Sequence, residues 1–130
     1  VYSQFEVQRG LTTQRLIRHL EEVEGGFRVA QRHQKVVRWR ALNLLTDFRG
    51  IGEFDLVFCR NVLIYFDVPT KSQILARVAE RLADHGRLIL GAAETVMGVS
   101  KEFVGEPGAY GFYVKADADP ARVNLIAAVN

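Results

Sequence analysis

Residues 54–91 hold the feature that most limits the fold: two short apolar runs, Phe54-Asp55-Leu56-Val57-Phe58-Cys59 and Arg87-Leu88-Ile89-Leu90-Gly91, separated by one amphipathic segment. Each run has the length and near-continuous apolarity of a strand buried on both faces. Between them Asp67 is suited to cap a helix and Pro69 falls in its first turn. Ile74, Leu75, Val78 and Leu82 form one stripe, and a stop is expected near His85-Gly86. Strand, helix and strand in this order make a parallel unit with a right-handed crossover. The expected fold class is therefore α/β, with an open and mostly parallel sheet.

The flanking segments are read around that unit. Leu16, Ile17, Leu20 and Val23 predict a helix over Thr12 to Val23, stopped by Gly25-Gly26. Phe27 to Ala30 and Val36 to Asn43 read as strands, the second because Val37, Trp39 and Ala41 alternate with Arg38, Arg40 and Leu42. Glu102 to Val104 and Gly111 to Lys115 read as an antiparallel pair closing one edge. Gly50-Ile51-Gly52 precedes its strand and is a turn rather than a dinucleotide fingerprint.

A chain of 130 residues with 48% hydrophobic and 25% charged residues forms one globular domain, which excludes disorder and coiled coil. With 17 Lys+Arg against 15 Asp+Glu the net charge is only +2. That argues against a nucleic-acid-binding domain, which also lacks any supporting motif here. No apolar run approaches the ~18 to 20 residues of a membrane span. Cys59 is the single cysteine, so neither an intrachain disulfide nor a cysteine-based zinc cage can form, and a reducing cytoplasm is the expected setting. The chain starts at Val1 and its one methionine is Met97, as expected for a piece of a longer protein.

In open parallel sheets, ligands bind beyond the carboxyl ends of the strands. Asn43-Leu44 and Arg60-Asn61, with Tyr65 just after, fall there. An amide, a guanidinium and a phenol against apolar walls suit a base or an amino-acid-like ligand, and the same groups could simply bond strand-end backbone. Glu94 can either line such a site or cap its loop. Cys59 reads as a small core residue, and His19, His33 and His85 lack metal-like spacing. Arg28 to Arg40 holds five basic residues plus His33 and no carboxylate: a solvated edge, or a patch that meets an acidic surface.

The run Phe54-Asp55-Leu56-Val57-Phe58-Cys59-Arg60-Asn61-Val62-Leu63-Ile64-Tyr65-Phe66-Asp67 resembles the chemotaxis-receptor methyltransferases, the CheR-type protein-glutamate O-methyltransferases. Tyr2 to Leu11, Leu42 to Leu45, Arg87 to Gly91 with Glu94, and Tyr110 to Lys115 flank it in the family's order, so the likeness covers nearly all of residues 1–115. It implies a Rossmann-like class I methyltransferase sheet, truncated, with S-adenosylmethionine as cofactor and S-adenosylhomocysteine as product. The substrates would be glutamate side chains on the cytoplasmic domain of chemoreceptors. By similarity, Asn43 and Leu44 contact the adenine side of the cofactor, Arg60 and Asn61 lie beside it, and Tyr65 sits near the sulfonium as the catalytic position.

The same resemblance implies that a helical N-terminal domain and the first two strands, with the glycine loop and acidic residue that hold the rest of the cofactor, lie upstream of anything present here. Without them the Phe54 to Cys59 strand has an open edge. Self-association and poor catalysis by the isolated chain follow. The division is 1–115, part of the catalytic domain, and 116–130, a tail of unknown role in which Ala121 to Val129 is a short apolar stretch. A non-catalytic interaction or regulatory module built on the same fold is the alternative.

Overall fold

The computed structural model describes residues 1–119 and divides into two compact units, Val1–Ala41 and the chain from Leu42 onward. The expected stretch Ala121 to Val129 lies outside the described residues. Among those described, no helix is long and apolar enough to cross a membrane.

In the first unit, α1 (Gln4–Gly10) starts at a reciprocal cap. The Ser3 hydroxyl accepts from the Glu6 backbone N–H, and the Glu6 carboxylate accepts from the Ser3 N–H at 2.8 Å. α2 (Thr13–His19) is capped by Thr12. It ends earlier than its apolar spacing predicts, because Leu20–Val23 forms β1, paired antiparallel with β2 (Gly26–Val29). The pairing wins because Gly25 and Gly26 both take positive φ, which allows a tight reversal where a helix would have continued. A short α3 (Gln31–Gln34) follows. The strand expected at Val36 to Asn43 is absent: the segment is irregular and exposed, with Trp39 91% accessible, because no neighbouring strand accepts its alternation.

The second unit is built as expected around a strand, a helix and a strand. β3 (Phe54–Cys59) pairs parallel with β4 (Leu82–Leu90), and α4 (Val68–Arg81) connects them. Asp67 caps α4 through its carboxylate and the Thr70 N–H, with proline in the first turn. The helix ends at Arg81, short of His85-Gly86, since Leu82 already pairs with Phe54; an irregularity in β4 then restores the register at Leu56 and Arg87. β5 (Phe103–Gly105) and β6 (Phe112–Lys115) are antiparallel as expected, and the sheet order is β3-β4-β6-β5. The sheet is mixed rather than mostly parallel, because only one crossover connection lies among these strands.

α4 covers one face of this sheet. Ile74, Leu75, Val78 and Ala79 pack with Cys59, Leu88, Leu90 and Phe103 into the core. On the other face Leu56, Phe58 and Phe112 remain exposed, Phe58 at 68%. The expectation of a β3 buried on both faces is therefore corrected. β3 is an edge strand whose even-numbered side chains have no covering layer, so its continuous apolarity overstates its burial.

Candidate functional site

The carboxyl ends of β3 and β4 lie side by side, Cys59 opposite Leu90, and the chain leaves each through a loop. Glu94 holds the two loops together. Its carboxylate accepts four backbone N–H groups: Gly91 at 2.8 Å from its own loop, and Asn61 at 2.8 Å, Val62 at 3.0 Å and Leu63 at 2.8 Å from the loop after β3. The side chain is buried, which pushes its pKa up. The four donors outweigh this and hold the carboxyl below its ordinary value of 4.5. Of the two roles open to Glu94 in the sequence, loop capping is the one observed.

This clamp fixes Arg60-Asn61. Asn61 takes a left-handed backbone, φ 58°, the one non-glycine residue to do so among the described residues. Its side chain lies over Gly91, where a Cβ would come to 2.5 Å from Asn61 Oδ1 and 2.7 Å from Glu94 Oε2. After Val62 a 3-10 turn, Leu63–Tyr65, buries Leu63 and leaves Tyr65 79% exposed. Arg60 is also exposed.

Asn43 and Leu44 do not end a strand, as expected, but occupy a turn. Asn43 Oδ1 accepts from the Leu45 N–H at 2.9 Å, and the Thr46 hydroxyl donates to the Asn43 carbonyl at 2.9 Å. The turn is anchored from α4 by Arg77, which donates to the Leu44 carbonyl at 2.9 Å. That puts Leu44 on the wall of an apolar groove of about 390 Å³ shared with Phe48, Val57, Cys59 and Val62. Of the five residues singled out in sequence, the structure thus brings Leu44 into the groove; Asn43 is next to it in the turn, while Arg60, Asn61 and Tyr65 flank the end of β3 without lining it.

Sequence reasoning missed Arg77, half-buried on α4 one turn before Arg81, a pair of arginines amid the apolar stripe of the helix. Cys59, buried, has its thiol pushed up to about 11 by burial and then by the Glu94 charge, so it stays protonated at neutral pH and is a core residue. His85 pairs with Asp55 at 2.7 Å and His19 with His33 at 2.9 Å. Among the described residues no group of three or more His, Cys, Asp or Glu is arranged to hold a metal ion.

The groove is mainly apolar. Its walls are aliphatic and aromatic and follow the open side of β3 from Phe54 to Cys59, with Leu44 and Val62 at the carboxyl end of the strand and Arg81 at the other. Residues 1–111 match the family model described as CheR methyltransferase, SAM binding domain. Curated relatives agree. Chemotaxis protein methyltransferase 1 of Pseudomonas aeruginosa is 42% identical over 73% of this chain and 35% of its own. Chemotaxis protein methyltransferase Cher2 of Pseudomonas putida is 38% identical over 78% and 38%, and a chemotaxis protein methyltransferase of Vibrio parahaemolyticus is 36% identical over 79% and 38%. The chain thus spans under two fifths of the length of these relatives. The matched domain and these relatives place this chain in the CheR methyltransferase family, Rossmann-like in fold and with S-adenosylmethionine as the family's cofactor.

Proposed function

We propose that this chain carries part of the cofactor site of a cytoplasmic protein-glutamate O-methyltransferase that modifies the cytoplasmic domain of chemoreceptors. The single observation that supports it most is the match of residues 1–111 to an S-adenosylmethionine-binding domain, in which an apolar groove along β3 ends between Leu44 and Val62. When bound, S-adenosylmethionine supplies an electrophilic methyl group on a sulfonium. Leu44 gives a face for the adenine ring. Asn43, its Oδ1 already engaged by Leu45, has an amide N–H₂ left to donate to a ring nitrogen. Arg60 and Asn61, fixed through the loop that Glu94 holds, flank the ligand, and the exposed ring and phenol of Tyr65 favour a neighbouring cation. None of these groups needs to take a proton from the acceptor, since a glutamate is already ionised at neutral pH. Their work is alignment and exclusion of water.

The test uses a full-length parent. Label from methyl-labelled S-adenosylmethionine should appear on a receptor cytoplasmic fragment as a base-labile ester. A parent that binds S-adenosylhomocysteine yet forms no such ester overturns the assignment. In calorimetric titration of that parent with S-adenosylhomocysteine, Asn43→Ala and Arg60→Ala should each weaken binding about tenfold, about 1.4 kcal/mol, with the melting temperature nearly unchanged. Equal losses of binding and stability would instead make both residues parts of the fold.

The isolated chain is expected to associate through β3. Among the described residues no strand pairs with its outer edge, and Phe54, Leu56 and Phe58 add an exposed apolar row with Asp55 as the strand's one charge. A twofold pairing of two β3 edges would continue that row across both copies. Light scattering should report a species larger than one chain that Leu56→Lys returns to a monomer. A clean monomer of the isolated chain at the same concentration, active on receptor, contradicts the expectation.

A further inference from the structure

In the first unit, Arg15 and Arg18 stand three residues apart on α2 and so share a helix face. Arg32 of α3 reaches the same place, its guanidinium donating to the Arg18 carbonyl. With Thr12, Gln14 and Ile17 they line an open groove of about 780 Å³. Among the described residues no carboxylate lies within ion-pair distance of these three arginines, whereas Arg28 nearby in sequence is neutralised by Glu21 at 3.3 Å. The field they make is felt at the end of α2. The His19 ring, 2.9 Å from His33, binds a proton less readily than usual, first through desolvation and then through the positive charges of His33, Arg18, Arg32 and Arg15.

Three guanidiniums around one groove repel one another, and an anionic ligand relieves that repulsion. The planar fork of arginine matches a carboxylate in particular. Glutamates three or four residues apart on a helix have Cβ atoms about 5–6 Å apart, and Arg15 and Arg18 share that helical spacing. We infer that this groove docks an acidic, glutamate-rich helical segment of the protein substrate, its carboxylates paired with the three guanidiniums. The inference rests on the glutamate-methylating reading above and adds a consequence to it. Each carboxylate converted to a methyl ester loses its charge, so the groove releases the segment progressively as methylation proceeds.

The probe is an alanine-based helical peptide of about 20 residues with glutamates three and four positions apart, titrated into this chain at low salt without cofactor. A second peptide has glutamine at every glutamate, standing in for the neutral ester. The glutamate peptide is expected to bind at least about tenfold more tightly than the glutamine peptide. Arg15→Gln with Arg18→Gln should remove most of that difference while leaving the Arg32 contact to the residue 18 carbonyl in place. Equal binding of the two peptides, or an undiminished preference in the double variant, overturns the inference. So does heparin displacing the peptide with equal affinity per charge, which would make the patch a general polyanion surface. Circular dichroism of the double variant separates lost docking from lost folding; if it unfolds, Arg15→Lys with Arg18→Lys keeps the charge and should keep the preference. The titration reads no methyl transfer, so its failure leaves the enzymatic reading standing, and a parent without methyltransferase activity leaves the docking result standing.

Discussion

Glu94→Ala is expected to lower the stability of the second unit by about 3–5 kcal/mol. The substitution strands four backbone N–H groups, on Gly91, Asn61, Val62 and Leu63, that now share one buried carboxylate. Charge-assisted bonds of this kind are the stronger sort, and a buried donor left unmade costs about 1–3 kcal/mol, part of which water recovers once the loop opens. Against a total of about 5–15 kcal/mol for a domain, that is a large share. Glu94→Gln should lie between alanine and the native residue, because its amide N–H₂ faces donors. The pH dependence has a definite sign. The folded carboxyl titrates below its ordinary 4.5, so its contribution is complete above that value and disappears as pH falls through the lower folded pKa. Thermal melts from neutral to acid pH should therefore converge for native protein and Glu94→Gln at the acid end. A constant gap between the two curves, or a Glu94→Ala melt within a degree of native, would remove the clamp from the account.

Gly91→Ala is expected to cost about 1–3 kcal/mol and to weaken S-adenosylhomocysteine binding by a full-length parent about tenfold. The added methyl would meet Asn61 Oδ1 at 2.5 Å, Glu94 Oε2 at 2.7 Å and the Asn61 backbone nitrogen at 3.0 Å. Asn61 Oδ1 is the end of a side chain and can swing away. The other two are held by the clamp, so the loop after β3 has to move. Gly105→Ala is the control, since nothing lies within 4 Å of its Cβ position and its φ is not positive. It removes only freedom of the unfolded chain and should be neutral or stabilising by up to about 1 kcal/mol. Indistinguishable melts for the two variants would mean that the close approach at Gly91 is not felt by the protein.

What could be read from the residues divides along physical lines. The unit from Phe54 to Leu90 was legible because an apolar run, a capped amphipathic helix and a second run are each local signals. The antiparallel pair at the end was legible for the same reason. Two elements were not. Leu20–Val23 carries helical spacing but is drawn into a hairpin by the Gly25-Gly26 reversal, a competition that the periodicity of one segment cannot decide. Val36 to Asn43 alternates as a strand should, yet strand formation needs a neighbour, and alternation does not supply one. The burial of β3 was overstated for a related reason: apolarity records what a strand is suited to, and Phe58 is exposed because no layer lies over it here. At the site, Asn61 and Glu94 were visible as residues, but their joining depends on strand register across more than thirty positions, which no local pattern encodes.

The order of the sheet also bears on how the chain is made. β6 is the last strand of the described chain, yet it lies between β4 and β5 rather than at a margin. It bonds to both, and Lys115 at its end donates to the Leu82 carbonyl and pairs with Asp84 at 3.2 Å. During synthesis, β3, α4 and β4 can emerge and associate first, but β4 then presents a bare inner flank until residues 112–115 leave the ribosome. A polypeptide that ends just before Phe112 would hold the whole matched methyltransferase segment and an unfinished sheet. Until those four residues arrive, β4 and β5 have no strand between them to complete the sheet.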